Sequence, residues 1–160
     1  LIVILLVAIS LLYFILAAQF ESIIQPLIIL SEIVVDIFFV LFGLWIFGES
    51  LNIMSMIGLV VMSGIIINDS ILKVDTINRL RKHGMPLLKA VFTGGHSRLK
   101  PIIMTSLTTI LAIAPFLNRV DMGSDLQYPL SLSIIIGMSV GTIVSLFFIP
   151  LIYYVIYRKH

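Results

Sequence analysis

The run MSMIGLVVMSGIIINDSILKVD, residues 54–75, decides the fold class. Its first ten residues carry no charge, and Asn68, Asp69 and Lys73 then appear inside the same apolar segment. Crossing the hydrocarbon core takes about 20 mainly apolar residues in a helix. This run is long enough, so its polar residues sit where lipid or protein, and not water, surrounds them.

The rest of the chain has the same character. Of 160 residues, 60% are hydrophobic and 11% charged, against roughly 25% charged in a soluble domain. Mean hydropathy is +1.20. That leaves too little polar surface to cover a water-facing globule. Five runs are read as spans, over 1–20, 23–47, 53–80, 98–118 and 127–157. Continuous apolar runs exclude the weak ten-residue alternation of a β-barrel. The expected fold is an all-α integral membrane bundle of five helices, one domain over 1–160. The apolar run starts at Leu1 without a basic leader or cleavage site, unlike a signal peptide. An internal segment of a longer chain is expected.

Turn chemistry supports the spans. Ser22 and Gln25 have capping-box spacing, followed by Pro26 in the first turn. Asn52 suits an N-cap and Gly48 a helix stop. Residues 118–125, with Gly123, read as a polar turn. In MPLLKAVFTGG, Leu87, Leu88, Val91 and Phe92 recur at helical spacing beside Lys89. This predicts either a short cytoplasmic interfacial helix over 84–95 or a plain connector folded on the bundle.

Lys and Arg orient the bundle. Eight fall on the side of the first loop, the third loop and the C-terminus, and one, Arg119, falls on the other. By the positive-inside rule the C-terminus is cytoplasmic and the N-terminus periplasmic.

Ionisable groups at membrane depth are expensive and usually mark function. Glu32 and Asp36 share one face of the second span, and Asp69 and Lys73 one face of the third, each pair spaced i, i+4. Three acids against one lysine would leave a net charge of −2 in a low-dielectric interior. At least one acid is therefore expected to hold a proton part of the time. The structural alternative is that Lys73 pairs with Asp69 while the other acids reach solvent or a helix end. The hydroxyls of MTSLTTI are expected to bond their own backbone, Thr105 being set apart below. Arg98 and Lys100 before Pro101 suit headgroup anchors. The methionines suit packing more than metal relay.

Other chemistry finds little support. Without cysteine there is no disulfide or thiolate metal site. His83, His96 and His160 lack zinc-like spacing. No phosphate loop is present, and the basic loop is a topology signal before it is a nucleic-acid signal. No enzyme, cofactor, metal or nucleic-acid partner is expected.

Several stretches together resemble the resistance-nodulation-division (RND) transporters. They are AAQFESIIQPLIIL, SLNIMSMIGLV, GIIINDSILKVDTINRLRKHG, SRLKPIIMTSLTTILAIAPF and GMSVGTIVSLFFIPLIYYVI, in that family's order over essentially the whole chain. The resemblance implies spans eight to twelve of a proton-driven efflux antiporter of the hydrophobe or metal type, in a bacterial inner membrane. It implies a homotrimer with a periplasmic adaptor and an outer-membrane channel, with membrane lipids and the rest of the same polypeptide as neighbours. Thr105 then matches a relay hydroxyl and Arg98 a basic position linked to proton traffic. Asn68 stands where many members carry a lysine, and Asp69 where they carry Asn. Glu32 and Asp36 replace apolar residues and a proline. A rearranged relay of Asp69, Glu32, Asp36 and Lys73 is the expectation. A lipid- or protein-export relative, or a non-transporting or truncated membrane scaffold, are the alternatives. Drug, bile salt, metal and lipid remain equally compatible as substrates.

Overall fold

In lipid, backbone polar groups find no water, so each apolar run must close its hydrogen bonds internally. The computed structural model describes residues 2–159. It shows α1 (Ile2–Phe20), α2 (Ile24–Ile46), α3 (Ile53–Lys82), α4 (Leu87–Ile113) and α5 (Met122–Arg158), with a 3₁₀ turn at Ala114–Leu117 between the last two. No strand occurs among the described residues. Leu1 of the first span and His160 of the tail lie outside them.

The turns follow local chemistry with two corrections. Asn52 caps α3 in a reciprocal box with Ser55, and Gly48 takes a φ of 72° after α2. The Ser22–Gln25 box does not form. α2 starts at Ile24 without a side-chain cap, and Gln25 is drawn across the bundle to Asn78 and Tyr157. Three hydrogen bonds to two partners inside the protein outweigh one reciprocal cap at the surface. The polar turn is also shorter than the sequence suggested, because Asp121 and Ser124 form a capping box that starts α5 at Met122.

The connector over 84–95 is not a separate interfacial element. Residues 87–95 are the first turns of α4, which continues through Gly94, Gly95 and Pro101. The Gly pair, which suggests a turn in sequence, serves close packing here. A Cβ on Gly94 would lie 2.7 Å from the Ile77 side chain, so the hydrogen allows α4 to approach α3. Ala90 and Val91 are buried on that side, while Leu88 and Phe92 face outward.

α5 is the axis of the bundle, packed against α2, α3 and α4. It runs parallel to α3 at a constant offset of 75 residues: Gly58 meets Ser133, Met62 meets Gly137, Ile66 meets Gly141, Ser70 meets Ser145, and Asn78 meets Tyr153. On α5 this line reads Ser133, Gly137, Gly141, Ser145, a small residue at every fourth position, the pattern that lets membrane helices approach closely. The approach is tight: a Cβ on Gly58 would fall 2.9 Å from the Leu130 carbonyl oxygen.

Two apolar clusters form the core. One gathers Ile28, Ile29, Val74, Ile77, Ile149 and Tyr153, and the other Val40, Leu44, Met62, Ile66, Leu132 and Met138. Residues 32 and 36 on α2, 69–73 on α3 and 141–145 on α5 fall between these clusters along every helix. A polar layer is thus held between two apolar ones.

Candidate functional site

That layer is built by three helices. α2 contributes Glu32 and Asp36 one turn apart, α3 contributes Asp69, Ser70 and Lys73, and α5 contributes Ser145. Glu32 and Lys73 are 0% exposed, Asp36 1% and Asp69 8%. The alternative in which the acids reach solvent does not hold for Glu32 and Asp36.

Lys73 does not pair with Asp69. Its Nζ donates to the Ser145 carbonyl oxygen and, at 3.0 Å, to Ser145 Oγ. Among the described residues, the ion pairs join Arg79 to Asp75 and Arg119 to Glu49 and Asp125, all outside this layer. Ser70 Oγ donates to Glu32 Oε2. The Ser70 and Ser145 hydroxyls lie 3.4 Å apart. Since the Ser70 proton goes to Glu32, Ser145 must be the donor between the two serines. One directed chain results, from Lys73 through Ser145 and Ser70 to Glu32. Among the described residues, Glu32 Oε1 and both Asp36 carboxyl oxygens accept no hydrogen bond.

The two serines were not singled out in the sequence, yet a signal exists. Ser10, Ser63, Ser131, Ser133 and Ser139 each donate to the carbonyl four residues back, the usual habit of a helix hydroxyl. Ser145 ends the four-residue stripe of small residues on α5, and Ser70 stands one position after Asp69. Small residues at that period mark the contact line, and a hydroxyl on a contact line can turn across it.

The remaining expected residues lie elsewhere. Asn68 and Thr105 are exposed on the outside of the bundle, and Thr105 Oγ1 donates to the Pro101 carbonyl at 3.0 Å. Thr108 and Thr109 bond their own helix in the same way. Arg98 Nε donates to Thr76 Oγ1 at 2.9 Å, joining α4 to α3. Asn68 is two turns from Thr76 along α3, and Thr105 two turns from Arg98 along the antiparallel α4. The three therefore follow one outer α3–α4 seam, apart from the buried layer. Met62 and Met138 are fully buried in the apolar core. No three His, Asp or Glu among the described residues are placed to hold a metal ion.

The AcrB/AcrD/AcrF family matches residues 1–157. The chain is 32% identical over 149 residues to the multidrug resistance protein MdtC of Erwinia amylovora, covering 92% of this chain and 15% of that protein. It is 29% identical over 157 residues to the swarming motility protein SwrC of Bacillus subtilis, covering 96% of this chain and 15% of that one. Two crystal forms of a heavy metal efflux pump superpose with TM-scores of 0.88 and 0.83, at 29% and 28% identity over 98% of this chain. The chain spans about 15% of the length of the relatives it matches. With the five-helix bundle, these matches place the chain in the AcrB/AcrD/AcrF family of RND efflux transporters.

Proposed function

We propose that this chain is the membrane portion of a proton-driven efflux antiporter and that its buried polar layer carries part of the proton relay. The observation that supports this most is the pair of carboxyl groups at Glu32 and Asp36, buried with three oxygens lacking any donor. Burying an unpaired charge is costly. Such a group gains by taking up a proton and gives it back when its surroundings rearrange. The chain of hydrogen bonds from Glu32 to Lys73 couples that exchange to a contact shared by α2, α3 and α5.

Asp69, at the edge of the layer, stands between it and the outer seam of Asn68, Thr105 and Arg98. The resemblance implies that the seam faces the first transmembrane half of the transporter. On this proposal the protein works in a bacterial inner membrane as a homotrimer joined to an adaptor and an outer-membrane channel. Its fragment N-terminus is periplasmic and its C-terminus cytoplasmic.

The test is efflux driven by an imposed pH gradient, using the chain as its gene encodes it. Asp36→Asn, Glu32→Gln and Asp69→Asn keep size but cannot titrate. Each is expected to lower coupled efflux at least ~10²-fold at normal assembled protein level, about the least that a positioned proton-transfer group contributes. Combined variants should be no worse than the worst single one, because one relay is interrupted only once. Wild-type efflux from all three single variants would sink the relay.

A further inference from the structure

Where α1 ends, α2 begins and α3 leaves the bundle, a cleft of about 420 Å³ opens. Arg79, Arg81 and Lys82 line it against one carboxylate, Asp75, which Arg79 holds at 3.1 Å. Glu21, in the adjoining turn, is exposed and does not line the cleft. The cleft is therefore a concentration of positive charge on the bundle.

Its floor is fixed in advance. Gln25 Nε2 donates to Asn78 Oδ1 at 2.9 Å and to the Tyr157 hydroxyl at 2.8 Å, and Asn78 Nδ2 donates back to Gln25 Oε1 at 2.7 Å. Tyr153 also donates to Asn78. The Arg81 guanidinium lies 4.9 Å above the Tyr157 ring centroid and donates one N–H to the Tyr153 hydroxyl at 3.4 Å. A guanidinium has about five donors in a fixed fork, so most of them remain for a ligand.

Depth identifies the ligand. From Lys73 in the buried layer to Lys82, α3 rises roughly 13 Å, close to half the ~30 Å hydrocarbon thickness. The three cations therefore sit at the height of lipid headgroups. Just inside them, Phe20 lines the cleft and Ile15, one turn below the lining Gln19 on the same face of α1, is exposed and offers apolar surface to acyl chains. Basic pockets between helices at this height select anionic headgroups.

We infer that this cleft binds an anionic phospholipid of the adjacent leaflet, its phosphate between Arg79, Arg81 and Lys82 and its acyl chains along the end of α1. A free phosphate would satisfy the cations but gain nothing from Phe20 and Ile15.

The experiment uses the chain as its gene encodes it, purified in non-ionic detergent. Native mass spectrometry follows titration with dioctanoyl phosphatidylglycerol, with dioctanoyl phosphatidylcholine as the zwitterionic control and inorganic phosphate as competitor. Phosphatidylglycerol is expected to form a one-to-one complex that phosphatidylcholine does not. A large excess of phosphate should fail to displace it. Arg81 packs on Tyr157, so its removal would also loosen the fold. The exposed Arg79 and Lys82 carry the test instead, with helix content checked by circular dichroism. Arg79→Gln and Lys82→Gln should each weaken binding about five-fold, and Lys82→Glu should weaken it further. Equal retention of the two lipids, or unchanged affinity in the Arg79→Gln/Lys82→Gln double variant, overturns the site. Displacement by phosphate at concentrations similar to the lipid's overturns its assignment to lipid.

Discussion

Lys73 shows how a buried charge is accommodated here. Among the described residues it has no carboxylate within ion-pair range, and the bonds of its ammonium go to a carbonyl and a hydroxyl of Ser145. Glu32 and Asp69 also attract its charge from nearby without closing an ion pair. Such an unpaired charge is costly to keep, so an apolar side chain of the same length is often tolerated in its place. Lys73→Met is therefore expected to hold or raise the denaturant midpoint of unfolding. Lys73→Ala also opens a cavity and should lower stability by about 2–5 kcal/mol. If Met proved as damaging as Ala, the ammonium itself would be holding the layer together. The sequence made Glu32, Asp36 and Lys73 legible because ionisable groups at that depth are rare. It did not disclose that Lys73 turns from Asp69 to α5. Spacing along one helix shows which residues share a face, but the partner on that face comes from the packing of three helices.

At the scale of elements, the contact between α3 and α5 depends on missing side chains. Gly58 and Gly64 lie on the same helix, but only Gly58 meets the other backbone. Its added Cβ would press on the Leu130 carbonyl, whereas one on Gly64 meets nothing within 4 Å. Gly58→Ala is expected to destabilise by about 1–3 kcal/mol, because a backbone carbonyl inside a helix has little room to move. Gly64→Ala should be neutral or stabilising by up to about 1 kcal/mol through helix propensity. Unfolding in a detergent–denaturant titration separates the two, and equal effects would mean that the close approach at Gly58 is not needed. The helices themselves were legible, since hydropathy and length suffice for a span. The Gly94–Gly95 pair was misleading, because a dipeptide that opens a turn in water here lies inside α4, where Gly94 permits close packing against Ile77. Gln25 misled for a related reason: local capping lost to distant partners.

For the whole molecule, sidedness follows from charge. The loops 47–52 and 118–121 share one end, where Arg119 is taken up by Glu49 and Asp125 and lies 3.8 Å from the Tyr128 ring centroid. The other end carries Arg79, Arg81, Lys82 and Lys89. The chain has no cysteine, so single introduced cysteines report without background. Cysteine at the exposed His83 should react with an impermeant reagent only from the cytoplasm. Cysteine at Met122, 89% exposed, should react from the periplasm. Reversed labelling in intact cells would overturn the orientation.

The polar layer lies between two apolar clusters, one around Ile29, Ile77 and Ile149 and one around Val40, Met62 and Met138. Those clusters close the layer toward both ends of the bundle. Of its four ionisable groups, Asp69 at 8% keeps the most exposure, on the flank of the layer. On the proposed relay a proton would enter and leave through that flank, so the side wall would open while the ends stay shut, as in a lock chamber.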